Sequence, residues 1–145
     1  MTMDTLTGSE HYCAYRGQQY VMRNSYMDLD FSQRVVNIRL PEDLSAADFP
    51  EAIRSGGEGE NRWVVIPERL VTREWAVDVY GQWCGAEFLL EVCQGPGGPS
   101  YFGYTNDPLA GDLGVRGSQY DGWQGALPAG EVVVTRQVER GLPLG

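Results

Sequence analysis

Two pairs of carboxylates in this chain have the spacing for acid–base chemistry. Asp28 and Asp30 are two residues apart and Glu87 and Glu91 are four apart, so each pair shares one face of a strand. Such pairs can act as general acid and base or bind a hard cation. Neither pair lies in the loop of an EF-hand, and strand carboxylates more often form a solvated face. A small hydrolase using Asp28 or Glu91 is therefore kept as an alternative.

Other reactive groups are few. His11 is the only histidine, and Cys13, two residues away, shares its strand face. The sequence contains no Gly-x-Ser-x-Gly nucleophile elbow and no glycine-rich phosphate loop. We therefore predict that the protein is not an enzyme and has no catalytic residues, no metal site and no cofactor.

Cysteine usage and the N-terminus indicate the compartment. Cys13, Cys84 and Cys93 have no CxxC spacing, which argues against a disulfide framework or a zinc site, although pairing of Cys84 with Cys93 stays open. The first ten residues lack the apolar core of a signal peptide, and no stretch is as long as a membrane span. We expect a protein of the reducing cytoplasm that does not bind membranes.

The charge balance indicates the kind of partner. The net charge is -9, and all 11 basic residues are arginine, which excludes lysine-based chemistry. The arginines do not cluster in sequence, so no basic footprint for nucleic acid is present. A cationic protein fits better, because opposite charge raises the encounter rate. Solubility alone also explains an acidic surface.

Alternating apolar residues predict the elements that would position these groups. We expect a mainly β fold: a single antiparallel β-sandwich or a partly open SH3-like barrel, with one short helix near residues 48–55. Residues 1–10 are predicted to be a flexible N-terminus, 11–140 a single β-rich domain and 141–145 a C-terminal tail. One strand is expected over residues 26–31. The predicted core residues are Val36, Ile38, Trp75, Val77, Val79, Phe88, Leu90 and Val92.

A Gly- and Pro-rich stretch at residues 94–125 is predicted to be a long loop that carries aromatic side chains. The segment from Trp123 to Pro128, followed by Glu131-Val132, resembles the end of an SH3-like barrel. That resemblance implies an alternative function, an interaction module in which Trp123 and the loop bind a peptide. Val71-Thr-Arg73 recurs as Val134-Thr-Arg136, each after an upstream proline, and we interpret this as chance.

Tyrosines mixed with carboxylates on the predicted polar strand faces suit recognition of an Arg- or Lys-rich surface. The predicted partner-binding residues on those faces are Tyr26, Asp28, Asp30, Asp78, Tyr80, Glu87 and Glu91. The aromatic loop adds Tyr101, Tyr104 and Trp123. In general character the chain resembles bacterial toxin-immunity proteins, which are small, acidic and without catalytic residues. The resemblance implies an inhibitor that covers the active site of a cationic toxin enzyme.

Overall fold

The computed structural model describes residues 6–95 and 97–144 and confirms a mainly β, antiparallel fold. Helical structure in these ranges consists of short 3-10 turns. The strands are β1 (Glu10–Tyr15), β2 (Gln18–Met27), β3 (Arg34–Arg39), β4 (Arg54–Gly56), β5 (Trp63–Pro67), β6 (Val71–Trp83), β7 (Ala86–Gly95), β8 (Gly98–Thr105), β9 (Arg116–Ser118), β10 (Gly122–Leu127) and β11 (Val133–Leu142).

The described residues form two compact units. The N-terminal unit comprises Glu10–Ala76 and residues 140–144, and the C-terminal unit comprises residues 6–9 and Val77–Glu139. The long strand β6 supplies its first residues to the N-terminal unit and the rest to the C-terminal unit. That residues 11–140 behave as a single domain stays a prediction.

In the N-terminal unit the strands are hydrogen-bonded in the order β4-β5-β3-β2-β1-β6. A tight turn at Arg16-Gly17, both with positive φ (50° and 76°), joins β1 to β2. Two central residues with positive φ define the type I′ turn that matches the twist of a hairpin. The core combines side chains from all the longer strands: Cys13, Tyr15, Met22, Val36, Ile38, Leu40, Phe49, Val64, Ile66 and Val71.

The C-terminal unit repeats this plan. Its strands are ordered β9-β10-β8-β7-β6, and β11 pairs with β6. The hairpin of β6 and β7 again turns on two residues with positive φ, Cys84 (51°) and Gly85 (83°). Gly103 is required in β8, because a Cβ there would lie 2.5 Å from Leu127 Cδ1. The core residues are Val79, Ala86, Phe88, Leu90, Tyr101, Ala110, Trp123 and Leu127.

The two units therefore have the same strand topology. Each has a type I′ hairpin, a third strand, a 3-10 turn, a three-residue edge strand, a fifth strand, a 3-10 turn and a last strand that pairs with the first. The N-terminal unit has one more 3-10 turn, Gly59–Asn61, between its edge strand and its fifth strand. The 3-10 turn before the last strand follows Pro67 in one unit and Pro128 in the other. Counted from these prolines, Val71-Thr-Arg73 begins four residues later and Val134-Thr-Arg136 begins six residues later, so this recurrence stands at different positions of the structural repeat.

The helix predicted over residues 48–55 is a single 3-10 turn, Ala46–Asp48. Its N-terminal cap is Ser45, whose backbone N–H donates to the Asp48 carboxylate at 2.8 Å. Pro50 disfavours helical geometry at Phe49, so the turn does not extend. The chain instead enters strand β4 at Arg54.

The strand predicted over residues 26–31 ends at Met27. Leu29 and Phe31 are 87% and 80% exposed in the following turn, where the Asp30 carboxylate accepts from the Ser32 backbone N–H at 3.0 Å. An aspartate that bonds to the backbone two residues later favours a turn over a strand. The alternation of Met27, Leu29 and Phe31 therefore marks no buried face.

The predicted loop at residues 94–125 is largely ordered into β8, β9 and part of β10. Its glycines do not all lie in turns, because Gly103 and Gly125 occupy strand positions beside close neighbours. All but one of the predicted core residues are buried or packed against a core. The exception is Val92, which is 38% exposed near the end of β7.

The chain ends are partly built into the units. Residues 1–5 of the predicted flexible N-terminus and Gly145 of the predicted tail lie outside the described residues. Leu6 packs against the C-terminal core, and the Ser9 backbone N–H donates to the Leu90 carbonyl at 2.7 Å. Strand β11 continues to Leu142, which packs against the N-terminal core.

Adjacent leucines on β7 test the register of the C-terminal unit. Leu90 is fully buried and Leu89 is half-buried on the opposite face. We expect Leu90→Ala to lower the free energy of unfolding by about 2–5 kcal/mol, because it leaves a cavity in the core. Leu89→Ala is the matched control and should cost clearly less in the same urea titration. Equal costs would contradict the register described here.

Candidate functional site

The outer face of the C-terminal unit presents aromatic side chains beside a carboxylate. Along β8, Tyr101, Gly103 and Thr105 are buried whereas Phe102 and Tyr104 are exposed. This period of two places the rings of Phe102 and Tyr104 on the face opposite the core. We name this surface the acidic-aromatic face and define it by Tyr80, Leu89, Glu91, Phe102, Tyr104 and Gln124.

Cross-strand pairing brings these side chains together. Tyr80 lies opposite Leu89, Leu89 opposite Tyr104, and Tyr104 opposite Gln124. In the neighbouring row, Glu91 lies opposite Phe102. Directly opposed residues have Cβ atoms about 4.5–5.5 Å apart, so the face is continuous across four strands and meets Arg116 of β9, which lies opposite Gln124.

Two shallow depressions follow this face. One of about 250 Å³ is lined by Leu89, Glu91, Phe102, Tyr104 and Gln124. The other, of about 530 Å³, shares Phe102 and Gln124 and extends over residues 114–116 and 125–126. Open depressions of this kind suit side chains of a protein partner better than a small molecule, which is usually bound in a cleft that buries most of its surface.

An arginine of β11 already binds at one end of the face. The Arg136 guanidinium donates to the Glu87 carboxylate at 2.8 Å and lies 4.0 Å from the centre of the Tyr80 ring. The hydrogen bond from Arg136 lowers the pKa of Glu87, so this carboxylate is charged and paired. Within the described residues Glu91 has no ion-pair or hydrogen-bond partner from a side chain. Asp78, two residues before Tyr80, is half-buried.

The structure places three of the predicted binding residues elsewhere, in the N-terminal unit. The Asp28 carboxylate accepts from Arg54 at 2.8 Å, and Arg54 also donates to the Tyr26 hydroxyl at 3.2 Å. Asp30 is used by its own turn, through Ser32. These carboxylates are therefore engaged within the N-terminal unit.

Two of the predicted aromatic contacts are core residues. Tyr101 is 4% exposed and Trp123 is 8% exposed, and both pack in the C-terminal core. Of the three aromatic residues assigned to the loop, Tyr104 is on the outer face and 39% exposed. The SH3-like module requires Trp123 on the surface, where a peptide can contact it. Because Trp123 packs in the core, this observation no longer favours the module.

A buried carboxyl pair in the N-terminal unit was not singled out by the sequence. Glu68 and Glu74 are 5% and 3% exposed, and Arg34 Nε lies 3.4 Å from Glu68 Oε1. Burial, the charge of Glu68 and a hydrogen bond with Glu68 raise the pKa of Glu74 to about 7. The Glu74 carboxyl therefore keeps its proton up to about neutral pH.

The alternation of apolar residues along β6 does not reveal this pair of glutamates in the sequence. Trp75 and Val77 predict that Glu74 faces solvent, but Glu74, Trp75 and Ala76 are all buried, so this part of β6 is covered on both faces.

Other site types have little support within residues 6–95 and 97–144. No group of three or more metal-ligating side chains occurs there. All three thiols are free, and burial raises the pKa of Cys13 to about 12, which disfavours the reactive thiolate. In the same ranges no helix has the length and apolar character to cross a membrane.

Searches against protein-family models, curated proteins and solved structures produced no match to this chain.

The raised pKa of Glu74 predicts how stability depends on pH. The folded state retains a proton that the unfolded chain releases above the ordinary value of 4.5. The free energy of unfolding should therefore fall as pH rises from 4.5 to about 7, by up to about 1.4 kcal/mol per pKa unit. Urea titrations of wild type and Glu74→Gln across this window measure the difference. The exposed Glu58→Gln is the control, and parallel curves for all three proteins would contradict the assignment.

The burial of Trp123 predicts a structural role. Trp123→Ala should destabilise the protein by about 3–5 kcal/mol, as expected for a large aromatic side chain removed from a core. Tyr120→Ala is the control, because Tyr120 is 87% exposed and should leave thermal unfolding almost unchanged. A fully stable Trp123→Ala protein would show that Trp123 is not a core residue.

Proposed function

We propose that this protein is a non-catalytic binding protein that recognises a basic protein surface through its acidic-aromatic face. The single observation that carries the proposal is the exposure of Phe102 and Tyr104 beside Glu91, whose charge is not paired within the described residues. Exposed aromatic rings with an adjacent charge are typical of the residues that dominate protein interfaces.

The internal repeat shows that the fold does not require this chemistry. By strand pairing, Asn24 of the N-terminal unit stands at the position of Glu91, because Asn24 lies opposite Asn37 after a register shift at Arg23, as Glu91 lies opposite Phe102. The pairing of β2 with β3 and of β7 with β8 likewise makes Arg39 equivalent to Tyr104. The same scaffold thus accepts an amide and an arginine at these two places, so the carboxylate and the ring of the C-terminal unit are not needed for folding.

The face also contains a precedent for binding arginine. Arg136 stacks on Tyr80 and pairs with Glu87, which combines a cation–π contact with a charge-assisted hydrogen bond. Glu91 and Tyr104 offer the same two chemical groups further along the face. A partner's arginine can therefore bind there as Arg136 binds at Tyr80 and Glu87.

The partner that fits best is a cationic toxin enzyme whose active site this protein covers in the cytoplasm. The net charge of -9 steers a cationic partner toward the complex at low salt. A stable inhibitory complex buries about 800 Å² on each partner, which is an area that a four-stranded sheet face can provide. The general character of the chain, which is small and acidic, supports an immunity protein.

Charge reversal on the face tests this function. The probe is a cationic toxin enzyme encoded by a neighbouring gene, and a genome without such a gene would count against this partner. Inhibition of the toxin and its association rate are measured at about 20 mM and about 200 mM salt. We expect Glu91→Arg to slow association and weaken inhibition, since the reversal places like charges opposite each other. Glu58→Arg changes the net charge equally on an exposed loop of the N-terminal unit and is the matched control.

The outcomes separate the acidic-aromatic face from general acidity. Loss of inhibition in Glu91→Arg and in Tyr104→Ala, with Glu58→Arg behaving as wild type, supports the face. Equal effects of the two reversals would show that overall charge, not this face, drives binding. If the association rate does not change with salt and neither reversal weakens inhibition, the proposal is wrong.

A further inference from the structure

The last strand of the C-terminal unit, β11, is exposed to solvent at positions where the last strand of the N-terminal unit, β6, is buried. Residues 133–139 of β11 are exposed on both faces of the strand, including Val133 at 65%. Counted from Pro128 and Pro67, Thr135, Arg136 and Gln137 correspond to Glu74, Trp75 and Ala76 of β6, which are all buried. Within the described residues β11 pairs with β6 alone.

Comparison with the N-terminal unit indicates what can pair with the free edge of β11. In the N-terminal unit β6 is the last strand and pairs with β1 along one edge. It also pairs with β11, whose residues 140–142 belong to that unit, so a second strand covers it. Strand β11 is the last strand of the C-terminal unit and pairs with β6 along one edge. Its other edge corresponds to the edge of β6 that β11 covers, so a further strand can pair there.

The edge has little of the usual protection against pairing. Edge strands are normally blunted by charged side chains, lysine above all, by proline or by a bulge. Residues 133–139 contain neither lysine nor proline, and Val133, Val134 and Val138 favour strand structure. This segment carries one arginine and one glutamate, so it is locally neutral in a chain with a net charge of -9. A second copy is therefore not repelled at this edge.

We propose that β11 pairs antiparallel with β11 of a second copy, about a two-fold axis at Gln137. A two-fold axis perpendicular to the sheet places one residue of β11 directly opposite the same residue of the second copy. The position of the axis is therefore defined by that residue. At Gln137 the two amides face each other and Thr135 lies opposite Glu139. An axis at Arg136 would oppose two arginines, and an axis at Val138 would oppose Arg136 with Arg140.

This dimer has a functional consequence that rests on the proposed function. Arg136 belongs to β11 and contacts Tyr80 on the acidic-aromatic face. A two-fold perpendicular to the sheet keeps the two copies' outer faces on the same side. The dimer would therefore present two acidic-aromatic faces in one direction, and its interface, formed by one strand per copy, is small and reversible.

Cysteine cross-linking tests the axis directly. In a Cys84→Ser and Cys93→Ser background, Gln137→Cys should form an intermolecular disulfide under mild oxidation, because opposed strand residues lie within about 4.5–5.5 Å between Cα atoms. Gln119→Cys, another exposed glutamine, is the matched control. Cross-linking of Gln137→Cys that is no faster than that of the control would overturn the proposal.

Sedimentation equilibrium from about 1 µM to about 500 µM gives a second, independent measurement. Wild type should become dimeric as concentration rises, and Gln137→Lys should weaken dimerisation by roughly fivefold, because it opposes two charges. Glu91→Arg should leave dimerisation unchanged, which separates this proposal from the proposed function. A wild type that stays monomeric throughout, or a Gln137→Lys protein that dimerises equally well, would overturn it.

Discussion

The two type I′ hairpin turns determine which side chains of this protein are buried. Each turn needs positive φ at two successive residues, which Gly17 and Gly85 adopt without strain and Arg16 and Cys84 adopt beside them. Because strand side chains alternate with a period of two, a slip of one residue would move every core side chain to the surface. The exposure of Glu91, and with it the candidate site, depends on the turn at Cys84-Gly85.

Sequence reasoning succeeded where a strand has one buried face. Val36, Ile38, Val79, Phe88 and Leu90 alternate with polar residues, and each is fully buried as predicted. It also identified Tyr80, Glu87, Glu91 and Tyr104, which the structure places on one surface. It failed in the first half of β6, because a strand covered on both faces has no alternation that would reveal Glu74.

The remaining errors arise where local hydrogen bonding competes with periodicity. Asp30 bonds to Ser32 and ends a run of alternating residues that reads as a strand. Ser45 caps a turn that begins at Ala46, two residues before the predicted helix, and Pro50 keeps the turn from extending. Gly103 belongs to a strand because its neighbours leave no room for a Cβ, a constraint that exists only after Leu127 and Phe88 are packed. The Gly-rich composition of residues 94–125 therefore reflects packing as well as turns.

The internal repeat separates what the fold demands from what one unit has acquired. Positions that keep their character in both units serve the scaffold, such as the turn glycines Gly17 and Gly85 and the prolines before the last 3-10 turn of each unit. Positions whose chemistry differs between the units are not fixed by the scaffold. Glu91 and its counterpart Asn24 are of this kind, as are Tyr104 and its counterpart Arg39. Asp28 illustrates the opposite case, since its carboxylate is held by Arg54 within its own unit. An acidic side chain contributes to recognition only where the chain does not already neutralise it, and in the C-terminal sheet that condition selects Glu91 over Glu87.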